Sequence, residues 1–206
     1  MISLIFYYTM FCPGGKVKSG GFCSEVLREK LYCGRKADII GKTLQEETTM
    51  QQMRRKDRKV TEPEKIREII AACDVLRLGL ADGEYPYIVP VNFGWEEKEG
   101  QVSFYLHGAM EGHKADLLRQ NGVCSFQMDC GHRVVPLPGY GITTRYGCVM
   151  GKAAVTQLTE EEKAPAMQLL IDRYLPGAPD CPPQAMARTA MWRLDVTEMS
   201  VKANEE

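Results

Sequence analysis

The clearest alternation of apolar and polar residues lies in YPYIVPVNFGW, which runs from Tyr85 to Trp95. Its odd positions are large and apolar, whereas its even positions hold two prolines, an isoleucine, an asparagine and a glycine. A period of two predicts one β-strand with a filled inner face and a thin outer face. Pro90 donates nothing to a neighbouring strand and Gly94 adds no bulk, so the pattern suits a flat ligand lying against bare backbone.

A second alternating segment, VSFYLHGAMEGHK, follows from Val102 to Lys114. It predicts a strand that turns through Gly108 and Gly112 into a helix over residues 111 to 120. Free backbone N–H groups at the start of a helix attract anions, and a lysine adds its charge to them. The spacing therefore indicates an anion site near Lys114.

Two further amphipathic helices are predicted from their first residues. Thr61 and Glu64 have the spacing of a capping box at the start of one. Thr159 and Glu162 have it at the start of the other, which extends through Tyr174. The buried stripes are expected to contain Ile66, Ile69, Ile70 and Cys73 in the first helix and Met167, Leu170, Ile171 and Tyr174 in the second.

The remaining segments alternate as strands joined by turns. An Asp-Gly pair at 82–83 predicts a tight hairpin with positive φ angles, and an Asn-Gly pair at 121–122 predicts the end of a helix. VVPLPGYG, residues 134–141, predicts a proline and glycine loop. Gly147 and Gly151 are expected to be bulges or points of close approach. Together these elements predict a mainly β fold, an antiparallel β-barrel with small peripheral helices.

The charge balance changes along the chain. The formal net charge is −1, but basic residues outnumber acidic ones in the first 60 positions and the reverse holds afterwards. An acidic core domain argues against nucleic acid as a partner. The eight cysteines form no CxxC pair, and several fall at apolar strand positions. This usage favours reduced, mostly buried thiols in a cytoplasmic protein.

The first 52 residues are expected to form an N-terminal extension of the main domain, residues 53–206. MISLIFYYTMF is apolar, but no basic segment precedes it and it is too short to span a bilayer. Residues 12–49 show no sustained period. One hypothesis is that LQEETTM, which ends at Met50, is encoded by codons containing a purine-rich ribosome-binding sequence. Met50 or Met53 would then be the natural start, which the gene sequence or the mass of the native protein tests.

Several residues are candidates for chemistry, and each has a plain alternative. His107 ends a strand on the face opposite its apolar residues, so it lies either at the surface or above a ligand. Lys114 either binds phosphate or is simply solvated. Cys130 and His132 lie close together, but their spacing matches no zinc pattern, so no metal site is predicted. The absence of a Ser-His-Asp order, a Walker sequence and a strand-linked GxGxxG weakens hydrolase, nucleotide triphosphatase and Rossmann interpretations.

Five segments, taken together, are characteristic of a known family. They occur between Met53 and Lys202 in the order MRRKDR, YPYIVPVNFGW, FYLHGAMEGHKADLLR, RYGCVMGKAAV and MWRLDVTEMSVK. This set resembles the nitroimidazole-resistance (Nim-like) branch of the pyridoxamine 5'-phosphate oxidase-like superfamily. The resemblance implies an antiparallel Greek-key split barrel that binds FMN at the interface of a homodimer.

The resemblance assigns cofactor-binding roles to the positions that match the family motifs. The backbone of residues 89–92 would lie along the flavin ring, with His107 beside it, and residues 112–114 would hold the phosphate. Arg54 and Arg55 would reach the cofactor or the neighbouring subunit. The implied cofactor-binding residues are Arg54, Arg55, Val89, Pro90, Val91, Asn92, His107, Gly112, His113, Lys114, Tyr146 and Cys148.

The chain departs from the family pattern at two of these positions. Many relatives have lysine or arginine where this chain has His113, which still donates a hydrogen bond but with less charge. Relatives often have serine on the paired strand where this chain has Cys148, next to Tyr146. That exchange weakens one polar contact.

The resemblance also implies a reaction. Reduced FMN would pass hydride to a small electron-poor acceptor such as a 5-nitroimidazole, and His107 would supply a proton or a hydrogen bond. Oxidation of pyridoxamine 5'-phosphate is not expected, because MWRLDVTEMSVKANEE lacks the arginine- and histidine-containing end of the true oxidases. Two alternatives stay open: a flavin-binding protein without turnover, and a haem-binding barrel with His107 or His132 as the iron ligand.

Overall fold

The computed structural model describes residues 53–139 and 141–205, so the hypothesis about the first 49 residues lies outside the described part of the chain. The predicted domain boundary at residue 53 stays a prediction. A short 3-10 turn, Lys56–Arg58, precedes the first strand. The helices are α1 (Pro63–Ala72), α2 (His113–Asn121), α3 (Glu160–Tyr174) and α4 (Pro183–Met186). The strands are β1 (Lys59–Val60), β2 (Leu76–Leu80), β3 (Tyr87–Val91), β4 (Phe93–Lys98), β5 (Gln101–Ala109), β6 (Val123–Leu137), β7 (Gly141–Gln157) and β8 (Thr189–Asn204).

The strands form one antiparallel sheet in the order β3-β2-β6-β7-β8-β5-β4, and β1 pairs with β8. β3 and β4 stand at the two ends of this order although only Asn92 separates them in the chain. The sheet therefore curls around its core, and among the described strands no ladder joins β3 to β4. The predicted fold class, a mainly β split barrel with peripheral helices, is confirmed.

An aromatic cluster fills the middle of the barrel. Phe104 of β5 has no exposed surface. Its ring centroid lies 5.6 Å from that of Phe93 and 5.2 Å from that of Phe126, both in edge-on geometry. Such pairs stabilise a core by roughly 0.5–1.5 kcal/mol beyond the area that they bury. The cluster thus joins the neighbouring strands β4 and β5 to β6, which lies three places from β5 in the order of the sheet.

One of the two predicted capping boxes is present in the structure. Thr159 and Glu162 form the predicted box at the start of α3, with the Thr159 backbone N–H donating to Glu162 Oε2 over 2.8 Å. The box predicted from Thr61 and Glu64 is wrong, because Pro63 occupies the first helical position of α1. Proline has no N–H to cap and its fixed φ suits that position, so the helix begins there without a side-chain cap.

The predicted buried stripe of α1 is confirmed. Ile69, Ile70 and Cys73 are at most 3% exposed, and Ile66 packs against the same core partly buried. These side chains pack α1 against β6 and β7. The stripe of α3 is confirmed less fully, because its last predicted member, Tyr174, is 38% exposed.

The prediction of a single strand from Tyr85 to Trp95 is wrong. The chain forms β3, leaves the sheet at Asn92 and continues as β4, which pairs with β5 instead of β2. Tyr85 precedes β3 and is 73% exposed. The period of two continues across Asn92 because the odd-numbered residues of both β3 and β4 face the core.

The two positions expected to leave bare backbone for a ligand differ in the structure. Pro90 is exposed on β3, as expected. Gly94 is buried under α3, and a Cβ atom there would lie 2.8 Å from the Cβ of Leu169 and 2.9 Å from the backbone nitrogen of Leu170. Glycine at position 94 therefore lets α3 pack on β4, and the expectation of ligand contact there is wrong.

The turn prediction from the Asn-Gly pair is confirmed, and the one from the Asp-Gly pair is confirmed only in part. Gly122 ends α2 in the left-handed conformation and its N–H donates to the carbonyl of Leu118, as predicted. β2 and β3 do form the predicted hairpin, but only Gly83 of the Asp-Gly pair has a positive φ. The tight two-residue turn lies instead at Glu99 and Gly100, whose φ values are 52° and 80°.

The prediction of a loop over residues 134–141 is wrong. β6 continues to Leu137 and β7 begins at Gly141, so residues 131–139 and 141–145 belong to a hairpin, called here the β6–β7 arm. Pro136 pairs opposite Ile142 within it. β2 contacts β6 only before the arm, so one side of the arm strand has no ladder partner and tolerates a residue without an N–H.

Candidate functional site

The start of α2 lies against the end of β5, and this contact places the Lys114 ammonium. A Cβ atom on Gly108 would lie 3.0 Å from Lys114 Nζ, so the ammonium rests on the bare backbone of β5. Among the described residues no carboxylate pairs with it, and partial burial lowers its pKa. A lysine held this way retains unused hydrogen-bond donors.

Gly112 precedes α2 with a φ of 116°, which a residue with a side chain rarely adopts. No side chain caps α2, so no capping side chain accepts hydrogen bonds from its first backbone N–H groups. These donors and the Lys114 ammonium together form a site suited to a phosphate group. The residues present thus fit the phosphate of a flavin nucleotide.

His107 stands beside this site on β5. Its side chain reaches the surface, yet the surrounding protein lowers its pKa, and the charge of Lys114 lowers it further. The imidazole is therefore neutral at pH 7 and offers one N–H donor and one acceptor nitrogen. We call His107, Gly108, Gly112 and Lys114 the phosphate-site group.

His113, which was predicted to hold the cofactor phosphate, contacts other residues of the chain. Its Nε2 lies 2.6 Å from Asp82 Oδ2, in the loop between β2 and β3. Its ring also meets Tyr87 of β3 edge-on, with centroids 5.0 Å apart. His113 therefore ties the start of α2 to the start of β3, and its predicted contact with the cofactor phosphate stays a prediction.

The predicted flavin strand opens onto one face of the sheet. Val89 and Val91 turn toward the core, whereas Pro90 is exposed and pairs with Arg77 of β2. Outward side chains of β2, β6 and β7 continue this face, which we call the outer sheet face. Its members are Arg77, Gly79, Ile88, Pro90, Ser125, Gln127, Asp129, Tyr146, Cys148 and Met150.

A polar network crosses the outer sheet face. Arg77 Nη1 donates to Asp129 Oδ1 over 2.9 Å and to Gln127 Oε1 over 3.3 Å. Gln127 Nε2 donates to the same Asp129 oxygen and approaches Cys148 Sγ at 3.8 Å. Partial burial raises the pKa of the Cys148 thiol, and the contact with Gln127 opposes this effect in part. Cys148 is therefore a neutral thiol at pH 7.

The arginine that contacts Tyr146 is neither of the two predicted ones. Arg55 forms a bidentate pair with Asp57, with Nη2 and Oδ2 2.6 Å apart, and this partner raises its pKa. Arg54 is exposed. Arg58 donates to the Tyr146 hydroxyl over 3.3 Å and stands 5.8 Å from its ring centroid. Sequence reasoning missed Arg58, although it lies in the same MRRKDR segment as Arg54 and Arg55.

The structure thus divides the predicted site residues between two places. The phosphate-site group lies at the junction of β5 and α2, whereas Tyr146 and Cys148 lie on the outer sheet face near Arg55 and Arg58. Three steps between neighbouring strands, about 14 Å, separate Pro90 from β7. No hydrogen bond or ion pair among the described residues joins the two places. The network of Arg77, Gln127 and Asp129 lies between Pro90 and Cys148 on the outer sheet face and was not predicted.

The described residues contain neither a membrane-spanning helix nor a metal-binding cluster. Within residues 53–139 and 141–205, no helix has both the length and the apolar character needed to cross a membrane. The same part of the chain contains no cluster of three or more His, Cys, Asp or Glu side chains placed to hold a metal ion.

Solved structures similar to this chain share its fold. A protein from Bacteroides thetaiotaomicron, provisionally described as a 5-nitroimidazole antibiotic resistance protein, is 26% identical over 71% of this chain and 90% of its own, with a TM-score of 0.62. The FAD and heme binding protein from Mycobacterium smegmatis is 17% identical over 72% and 74%, with a TM-score of 0.63. The flavocytochrome Anf3 from Azotobacter vinelandii is 19% identical over 75% and 73%, also with a TM-score of 0.63. The last two show the fold alone.

A curled antiparallel sheet with a few peripheral helices defines a split-barrel protein. The family model described as pyridoxamine 5'-phosphate oxidase matches residues 62–203 of this chain. The chain belongs to the pyridoxamine 5'-phosphate oxidase family. No curated protein matches it closely enough to count as a relative. Membership of a family fixes the architecture, whereas activity depends on the site.

Proposed function

We propose that this protein binds FMN and uses it to reduce small electron-poor acceptors, of which 5-nitroimidazoles are the model. The observation that carries the proposal is the Lys114 ammonium, which lies beside the start of α2 without a carboxylate partner among the described residues. A phosphate group completes such a site. Similarity to the Bacteroides thetaiotaomicron protein supports the choice of acceptor and the Nim-like branch of the family.

The residues of the chain have distinct roles in this proposal. Lys114 and the free N–H groups of α2 bind the phosphate, and the exposed backbone at Pro90 borders the ring. His107 is neutral at pH 7, so it donates a hydrogen bond to the acceptor and transfers a proton more readily as the pH falls. Bound FMN, once reduced, supplies the hydride.

A spectrum and a rate test this function. Purified protein should show flavin absorption bands, and the released cofactor should be FMN. FMN reduced in the protein should be reoxidised by a nitroimidazole faster than the same concentration of free reduced FMN. Equal rates would leave a flavin-binding protein without turnover. A Soret band would instead indicate haem, which the FAD and heme binding protein from Mycobacterium smegmatis is described as binding.

His107→Ala should slow this reoxidation by roughly 10²-fold or more, while FMN affinity stays within about threefold of the original protein. The physical reason is that the variant removes a donor to the acceptor and leaves Lys114 and the helix start in place. His132→Ala is the matched control, since His132 is exposed on the β6–β7 arm. Equal reoxidation rates for the two variants would remove His107 from the reaction.

We also propose that a second copy of the chain covers the outer sheet face and completes the cofactor site. Ile88 is 66% exposed and Met150 is 39% exposed on that face, which favours a protein partner. A two-fold dimer would bring Tyr146 and the arginines of one subunit toward the phosphate-site group of the other. This arrangement explains why one chain holds the predicted residues in two separate places.

Ile88→Asp should shift the protein from dimer to monomer in sedimentation velocity and weaken FMN binding at the same time. A buried carboxylate without a partner is costly at an apolar interface, so the shift should exceed tenfold in the dimer dissociation constant. Leu175→Asp is the control, because Leu175 is 66% exposed at the end of α3. A protein that sediments as a monomer at high concentration would contradict the proposal.

A further inference from the structure

Two arginines face each other at the base of the β6–β7 arm. Arg133 of β6 and Arg145 of β7 are directly paired across the antiparallel ladder, so their side chains leave the sheet on the same side. Like charges in this position repel and destabilise a hairpin. A carboxylate or a bound anion between the two groups would relieve this repulsion.

The described residues do not supply a carboxylate to these arginines. None of the ion pairs in residues 53–139 and 141–205 includes Arg133 or Arg145. One acidic residue, Glu205, lines the same cavity as the two arginines, but its carboxylate pairs with Lys65 at 2.9 Å. That negative charge is therefore already neutralised by another cation.

Both arginines line a cavity of about 220 Å³. Arg145 is positioned in it by donating from Nη1 to the backbone carbonyl of Glu205, while its Nε is buried and has no partner among the described residues. The Nε of Arg58, which contacts the cavity residue Tyr146, is buried and unpartnered in the same way. Guanidinium groups recognise carboxylate and phosphate oxygens through their N–H groups, and Arg133 and Arg145 bring two guanidinium groups to one cavity.

We propose that this arginine cavity binds a small dianionic oxyanion, either a phosphate group or a dicarboxylate, held between Arg133 and Arg145. Its volume suits a ligand smaller than a flavin nucleotide. Within one chain the cavity lies at the arm, apart from the phosphate-site group at Lys114. Because Tyr146 lines it and is also placed in the proposed dimeric FMN site, the experiment must separate the two sites. Two facing positive charges match a dianion better than a monoanion.

The test is thermal unfolding of the whole protein, titrated with inorganic phosphate and with malonate at constant ionic strength, with chloride as the reference. Phosphate or malonate should raise the melting temperature where chloride does not, and the stronger of the two identifies the ligand chemistry. Arg133→Gln should weaken the apparent affinity by about tenfold or more. It should also leave the anion-free protein as stable or more stable, since one of two repelling charges is gone.

Arg188→Gln is the matched control, because Arg188 is an exposed arginine far from the cavity. It precedes the first residue of β8, whereas the cavity residue Asn204 is the last residue of that strand. The proposal is overturned if phosphate and malonate act no more strongly than chloride, or if the two variants respond alike. Lys114→Met separates this site from the flavin site. That variant should lose FMN affinity and keep the anion response, whereas loss of both together would assign the anion to the flavin site.

Discussion

Lys114→Met should weaken FMN binding by roughly 10- to 150-fold, which corresponds to the 1.5–3 kcal/mol of a charge-assisted hydrogen bond. The ammonium rests on the backbone of Gly108 beside the uncapped start of α2, and no carboxylate of the described residues competes for it. Methionine keeps the length and much of the packing of the lysine stem. The loss therefore reports the charge and its donors.

The measurement is a titration of apoprotein with FMN, followed by the quenching of flavin fluorescence at low and moderate salt. The salt dependence should be smaller for the variant, because one ionic contact with the phosphate is missing. Lys98→Met is the matched control, since Lys98 is 75% exposed at the β4–β5 turn and pairs with Glu96. Equal affinities for the two variants would show that the phosphate binds elsewhere.

Phe104→Ala should lower the free energy of unfolding by about 3–5 kcal/mol. Phe104 is fully buried, and its ring contacts those of Phe93 and Phe126. Removing it opens a cavity where β4, β5 and β6 meet, and packed strands cannot close fully around such a space. Because β5 also carries His107, the site should lose its order at a lower denaturant concentration than in the original protein.

Urea unfolding followed by tryptophan fluorescence measures this loss, and Phe104→Leu should cost less because it fills part of the space. Val123→Ala provides the surface comparison, since Val123 is 61% exposed and its replacement should cost under about 1 kcal/mol. Similar midpoints for Phe104→Ala and Val123→Ala would mean that the aromatic cluster does not hold the barrel together.

Local signals accounted for much of the fold. The apolar stripe of α1, the capping box at Thr159 and the helix end at Gly122 each depend on residues within a few positions of one another. Gly147 and Gly151 were correctly predicted as points of close approach. A Cβ atom at position 151 would lie 2.2 Å from the carbonyl oxygen of Glu198.

The wrong predictions share a cause, which is that a strand's partner cannot be read from its own residues. Pro136 lies in a strand because the β6–β7 arm has a free side there, although the prolines and glycines near it in the sequence favour a turn. The break at Asn92 exists because β3 pairs with β2 and β4 pairs with β5. Gly94 faces α3, a helix more than 60 positions away in the chain.

For the candidate site, the sequence by itself determined the local unit: a strand ending near His107, a glycine turn and a helix that begins beside Lys114. Hydrophobic period and turn chemistry act over a few residues, so a single segment carries that information. Only the tertiary structure decided that His113 turns to Asp82, that Arg58 contacts Tyr146, and that Arg133 faces Arg145. Each of these contacts depends on strand register and on which elements pack together, and the whole chain sets both.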